Sequence, residues 1–215
     1  MIFKMKKLLL GLLLFISFTV NAQTVVLKHK TYISTYDTIK NYPVLVEYWL
    51  TKNMLICTTR IPRGTAFKPD PLLKKQTDLQ NSYDKSGYDR GHNMNAEDNR
   101  CDKVGMDESF YFSNMTPQVP QLNRGVWKTL ETQVRSTAES ADSVKVWMGS
   151  IGEVKKVGKL SIPSHCWKVI YVKKTNEYYA WIFPNIIPTN TTTRFYEVKV
   201  SEVEKISGLK FGNPK

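Results

Sequence analysis

The run "SGYDRGHNMN", Ser86 to Asn95, sets Asp89, Arg90, Gly91 and His92 side by side in a chain that has 3 histidines. In an extended segment side chains alternate between faces, so Arg90 and His92 share one face and Asp89 and Gly91 the other. A permanent cation beside an imidazole keeps it neutral. A neutral imidazole can take a proton from water and so act as a general base, and an arginine fork can hold phosphate oxygens. Base and phosphate clamp on one face point to phosphodiester hydrolysis. A strand histidine also serves as a plain structural hydrogen bonder, so the tetrad needs a second half.

That half lies in "ESFYFSNMTPQVPQLNRGVWKTLETQVR". On a helix, Asn123, Trp127, Glu131 and Arg135 recur every fourth residue and form one ridge that drifts by about 40° per step. Asn123 falls at the helix start, where an amide oxygen can cap or bind a cation. Trp127 reads as packing, and Glu131 and Arg135 as an i, i+4 pair in the favourable order. Taken alone, these residues also fit an N-cap, a core tryptophan and a surface ion pair.

The elements that must position them are legible in outline. "YPVLVEYWL" and "NMLICTTR" predict a strand pair, "SFYFS" (Ser109–Ser113) a short aromatic strand, and "VKVWMG", "WKVIYVK" and "YYAWIF" further strands. The Pro- and Gly-bearing stretch from Ile61 to Gly87 predicts mostly loop. One helix is expected from about Asn123, with Trp127, Leu130 and Val134 on its apolar stripe. A second is expected near the C-terminus, with a Ser201–Glu204 capping box, Val203 and Ile206 facing inward, and Gly208 ending it. Hairpins outnumber βαβ alternations, so the expected fold is α+β: a central antiparallel or mixed sheet with flanking helices.

Aromatic residues make up 12% and hydrophobic residues 41% of the 215, which excludes a disordered chain. The N-terminus reads as a secretory signal peptide over residues 1–22. It has a basic start, an apolar run from Leu8 to Val20 too short for a comfortable membrane span, and a cut between Ala22 and Gln23. One domain is expected over 23–215, without stable membrane insertion once the leader is removed, in the periplasm or outside the cell. The formal net charge is +12, and 12 less Lys4, Lys6 and Lys7 of the leader leaves +9. That surplus favours polyanionic partners. Cys57, Cys101 and Cys166 allow one disulfide and one free thiol, with no choice of pair legible, or three buried thiols.

"DRGH", then "SNMTPQ", then "LNRGVWKTLE", in that order, closely resemble the DNA/RNA non-specific endonuclease family, and the resemblance runs from the strand near Tyr42 to the C-terminus. It implies a ββα-metal finger within the α+β domain and endonucleolytic cleavage of DNA and RNA to 5′-phosphorylated products. By the same resemblance His92 is the general base, and Asn123 is the one direct protein ligand of a single divalent metal, Mg²⁺ or Mn²⁺. Glu131 holds a metal-bound water, Arg90 and Arg135 contact or organise the phosphate, Asn114 supports the substrate site, and Asp89 is structural. A further arginine on the loop after the second strand matches Arg63 in preference to Arg60. The resemblance allows a homodimer.

His29 reads as exposed and His165 as structural. Lys155, Lys156 and Lys159 fit either a polyanion path or a solvated hairpin. Two other functions stay open on the sequence: a nuclease-fold protein that captures extracellular nucleic acid without cutting it, and a phosphodiesterase for another anionic substrate. The intact set His92, Asn123, Glu131 and Arg135 speaks against the first.

Overall fold

The computed structural model describes residues 24–73, 79–212 and 214. The leader read over Met1–Ala22 lies outside the described residues. Strands β1 (Thr24–Lys28), β2 (Ile33–Asp37) and β3 (Tyr42–Thr51) lead into short helices α1 (Lys52–Leu55) and α2 (Leu79–Tyr83). Strand β4 (Asp89–His92), helix α3 (Lys103–Glu108), strand β5 (Met115–Gln118) and helix α4 (Pro120–Leu122) follow. A wide turn, Asn123–Trp127, joins α4 to the long helix α5 (Lys128–Ala141). The rest is mostly sheet: β6 (Ser143–Ile151), β7 (Lys155–Val157), β8 (Leu160–Ile162), β9 (His165–Val172), β10 (Glu177–Pro184) and β11 (Glu197–Val198), closed by α6 (Val200–Ser207).

Seven strands form one antiparallel sheet in the order β1-β2-β3-β6-β9-β10-β11. Alternation along β3 explains its two faces. Val46, Tyr48 and Leu50 join Leu130, Val134 and Ala138 of α5 in one core. Leu45 and Trp49 turn to the other face, where Trp147, Trp167, Val169 and Val203 of α6 pack. Because helices cover both faces, central β9 is buried along almost its whole length. The β4–β5 hairpin and the α4–α5 segment together make a ββα unit set against the α5 side of the sheet. This is the α+β, ββα architecture that the resemblance implies.

Several local expectations fail for stated reasons. "NMLICTTR" forms no strand: β2 and β6 occupy both edges of β3, and the chain turns at Thr51 into α1, burying Leu55. "SFYFS" makes one bridge, Tyr111 to Lys68, and then a tight turn at Phe112–Asn114. Phe110 and Phe112 are drawn into separate clusters on either side of it. The Ser201–Glu204 box does not form, because α6 starts two residues earlier with Lys199 as its cap. Val203 is buried as expected, whereas Ile206 is 40% exposed. Gly208 does end α6, with φ of 72°. Cys57 and Cys101 are bonded to each other, and Cys166 is a buried free thiol. Among the described residues no helix is long and apolar enough to cross a membrane.

Candidate active site

Strand β4 is the DRGH run itself. It pairs with β5 so that Gly91 faces Thr116 and His92 faces Met115. A Cβ at Gly91 would lie 2.1 Å from Gln118 Oε1, so the bare glycine leaves room for the buried Gln118 side chain. Beside β4 opens a cleft of about 860 Å³ lined by Arg63, Asp89, Arg90, His92, Asn123, Glu131 and Arg135 among others.

The His92 ring lies edge-on to Phe110 at 4.9 Å and tilted to Phe67 at 5.6 Å. A ring N–H donates to the Arg90 carbonyl, and the buried Nε2 has no partner among the described residues. Burial first, then the charge of Arg63, pushes its pKa from 6.5 down to about 3. The imidazole is neutral, as expected, but Arg90 is not the cation responsible. The Arg90 guanidinium sits between the Phe67 and Tyr83 rings at 5.1 Å from each, and its Nη2 is 2.7 Å from Asp84 Oδ1.

Asp89 departs from strict alternation. It reaches the cleft and accepts from Asn123 Nδ2 at 2.9 Å and from Arg124 Nε at 2.8 Å. With its amide NH₂ committed to Asp89, Asn123 has Oδ1 left to serve a cation. The expected ridge is interrupted. Gly125, at φ −104° and ψ −116°, breaks the helix, so regular α5 begins at Lys128. Trp127 goes fully into the core, while Asn123 and Glu131 line the cleft.

Glu131 and Arg135 do not pair with each other. Arg135 Nη1 lies 3.2 Å from Asp98 Oδ1, and the Tyr48 hydroxyl donates to Asp98 Oδ2 at 2.9 Å. The Glu131 carboxylate accepts from the Asn95 side chain. Its pKa is raised by burial, against an opposing pull from Lys168. Lys168 projects from the middle of β9, is 2% exposed and lies 4.7 Å over the Trp127 ring. Burial lowers its pKa, and the Glu131 and Asp98 charges oppose that. Two carboxylates and two cations thus balance beneath the cleft, the condition under which buried charge is tolerated.

Arg63 lines the cleft with its guanidinium 5.3 Å from the Phe110 ring, and Arg60 is exposed and does not line it. Asn114 cannot bind substrate: it is 0% exposed. Its amide donates to the Met94 and Ser109 carbonyls, and its oxygen accepts from Met94 N. Its work is to tie the segment after His92 to the turn before β5. His29 is not exposed either; its Nε2 is 3.0 Å from Asp70 and its ring stacks on Tyr32. His165 Nδ1 meets Ser164 Oγ and stays outside the cleft.

Arg124, Lys128, Asn95, Glu97, Tyr88 and Phe67 also line the cleft, and Lys168 lies beneath it. Lys168 carried a signal in the sequence, a lysine inside the apolar run "CWKVIYV". For Arg124 and Lys128 the signal was their i, i+4 spacing beside Asn123 and Glu131. The donors offered to a metal are oxygens, Asn123 Oδ1 with the Glu131 carboxylate nearby. They fit a hard divalent ion that keeps much of its water. Among the described residues no three His, Cys, Asp or Glu side chains cluster around a metal position.

The profile of the DNA/RNA non-specific endonuclease family matches residues 13–215. Nuclease C1 of Cunninghamella echinulata var. echinulata is 32% identical over 206 residues, covering 86% of this chain and 81% of that protein. Human mitochondrial endonuclease G is 31% identical over 147 residues, covering 60% of this chain and 50% of that protein. The chain spans 55% of the Xenopus laevis mitochondrial nuclease EXOG, at 29% identity. A chain in the crystal structure of an EndoG/EndoGI complex superposes with a TM-score of 0.78 at 29% identity, covering 86% of this chain and 84% of that one. With the profile spanning nearly the whole sequence and a ββα unit around the DRGH strand, the chain belongs to the DNA/RNA non-specific endonuclease family, a nuclease acting as a hydrolase on nucleic acid.

Proposed function

We propose that the protein is an exported, metal-dependent endonuclease that cuts DNA and RNA at the backbone and leaves 5′-phosphorylated ends. The observation that carries this reading is the buried, unpartnered Nε2 of a neutral His92 in a cleft ringed by Arg63, Arg90 and Arg135. His92 takes a proton from water, the water oxygen bonds to phosphorus, and the bond from phosphorus to the 3′ oxygen breaks, its electron pair leaving on that oxygen, which takes a proton from solvent water to become the 3′ hydroxyl. The three arginines answer the charge gathering on the phosphoryl oxygens. Phe67 and Tyr83 hold the Arg90 fork in place before substrate arrives. Asn123 Oδ1, aligned through Asp89, would hold one Mg²⁺ or Mn²⁺, and Glu131 would accept from water beside it. When bound, that ion supplies Lewis-acid stabilisation of charge on the phosphate and the leaving oxygen.

The mature chain from Gln23 should digest both plasmid DNA and ribosomal RNA with Mg²⁺. Digestion should stop with chelator, disappear in His92→Ala and fall as salt rises. Tight binding of intact DNA would favour the capture reading, and undiminished cutting by His92→Ala would remove His92 as the base.

A further inference from the structure

The β7–β8 hairpin takes no part in the chemistry above, yet it carries Lys155, Lys156 and Lys159, all exposed. Among the described residues none of the three forms an ion pair. Exposed Glu153 is the acidic residue beside them in sequence, and Asp84, near the cleft edge, is already engaged by Arg90. The hairpin is held from both sides. Lys159 N donates to Ser82 Oγ at 3.2 Å, Asn41 Nδ2 donates to the Lys159 carbonyl at 2.9 Å, and Ser161 N donates to the Lys40 carbonyl at 3.1 Å. Its inner strand buries Leu160 and Ile162 against Leu79, Tyr83 and Phe112. Tyr83 is one of the two rings that hold Arg90. At the other end Lys155 Nζ lies 5.4 Å over the ring of Tyr88, which lines the cleft one residue before β4.

We propose that Lys155, Lys156 and Lys159, with Lys155 seated on Tyr88, form a preset track that grips phosphates of the nucleic-acid strand beyond the scissile bond. Their charges are left without carboxylate partners on a hairpin whose backbone is held from both sides, and Lys155 already rests on Tyr88, which lowers the ordering cost when a polyanion binds. The track continues the cationic lining of the cleft outward without base-reading groups, as backbone-directed binding requires. This inference rests on the nuclease reading for its substrate class.

The test compares wild type with a Lys155→Gln/Lys156→Gln/Lys159→Gln variant on oligonucleotides of about twenty and about four nucleotides, the shorter too short to span cleft and hairpin. On the long substrate the variant's KM should rise about tenfold and the log–log salt slope for duplex should become shallower by about two to three. On the short substrate the two proteins should agree, and the corresponding triple arginine variant should restore the long-substrate KM. Fluorescence anisotropy in chelator reads the same affinity loss without cutting. Equal affinity and equal salt slope in the triple glutamine variant, with melting unchanged, would overturn the track. So would a loss of the same size on both lengths. Wild type that binds long DNA through these lysines but never cuts it would sink the nuclease reading and leave the track standing.

Discussion

An imidazole nitrogen buried without a hydrogen-bond partner is destabilising, and His92 accepts that cost at the one atom its chemistry needs. The DRGH run made the base legible. It did not make the source of its neutrality legible, because that depends on burial between Phe67 and Phe110 and on Arg63, 29 residues away along the chain. The sign of the pH effect follows. The folded pKa of about 3 lies below the ordinary 6.5, so between these values the unfolded chain binds a proton that the folded one does not. This group therefore lowers stability as pH falls from 6.5 toward 3, and the folded chain keeps the ring unprotonated at mildly acid pH. The His92 ring resonance should stay flat from about pH 8 to about pH 5 in an NMR titration. A midpoint near 6.5 would show that the ring is open to water.

At the scale of elements, the site is a ββα unit whose parts were read unevenly. Asn123, Glu131 and Arg135 were placed on one ridge by their spacing. The break at Gly125 and the pairing of Arg135 with Asp98 were invisible, since one is a backbone conformation and the other a contact 37 residues apart. The resemblance named Asn114 as a support of the substrate site; its full burial and three side-chain bonds to backbone give that support its form, a tie between segments. The Cys57–Cys101 bridge closes a 44-residue span that carries Arg63 and the whole of β4. Loop-closure entropy for a span of that length gives about 4 kcal/mol. Cys57→Ser/Cys101→Ser should lose stability of that order in urea unfolding, and its KM for DNA should rise as the Arg63 loop loosens. An unchanged unfolding midpoint would mean that other contacts already fix the loop.

At the scale of the whole molecule, a basic chain builds a seven-stranded sheet with a cationic cleft beside it. The export proposed above would deliver the Cys57–Cys101 bridge to a compartment where a disulfide persists. Export predicts that mass spectrometry of the protein from its native host finds a chain beginning at Gln23 with the bridge intact. A chain retaining Met1, or carrying only free thiols, would overturn export.

The sequence by itself determined the fold class, the long strands, the helix around Glu131, the family and the residue types of the chemistry. These depend on local periodicity and on short motifs whose members sit close along the chain. Tertiary structure alone decided which cysteines join and that Arg63 and not Arg90 acts on His92, and it places Arg63, already preferred to Arg60, in the cleft lining. It also decided that Lys168 rises from β9 to balance Glu131 and Asp98. Each of these is a meeting of distant segments in a low-dielectric interior, where position sets the size and even the identity of an electrostatic partner.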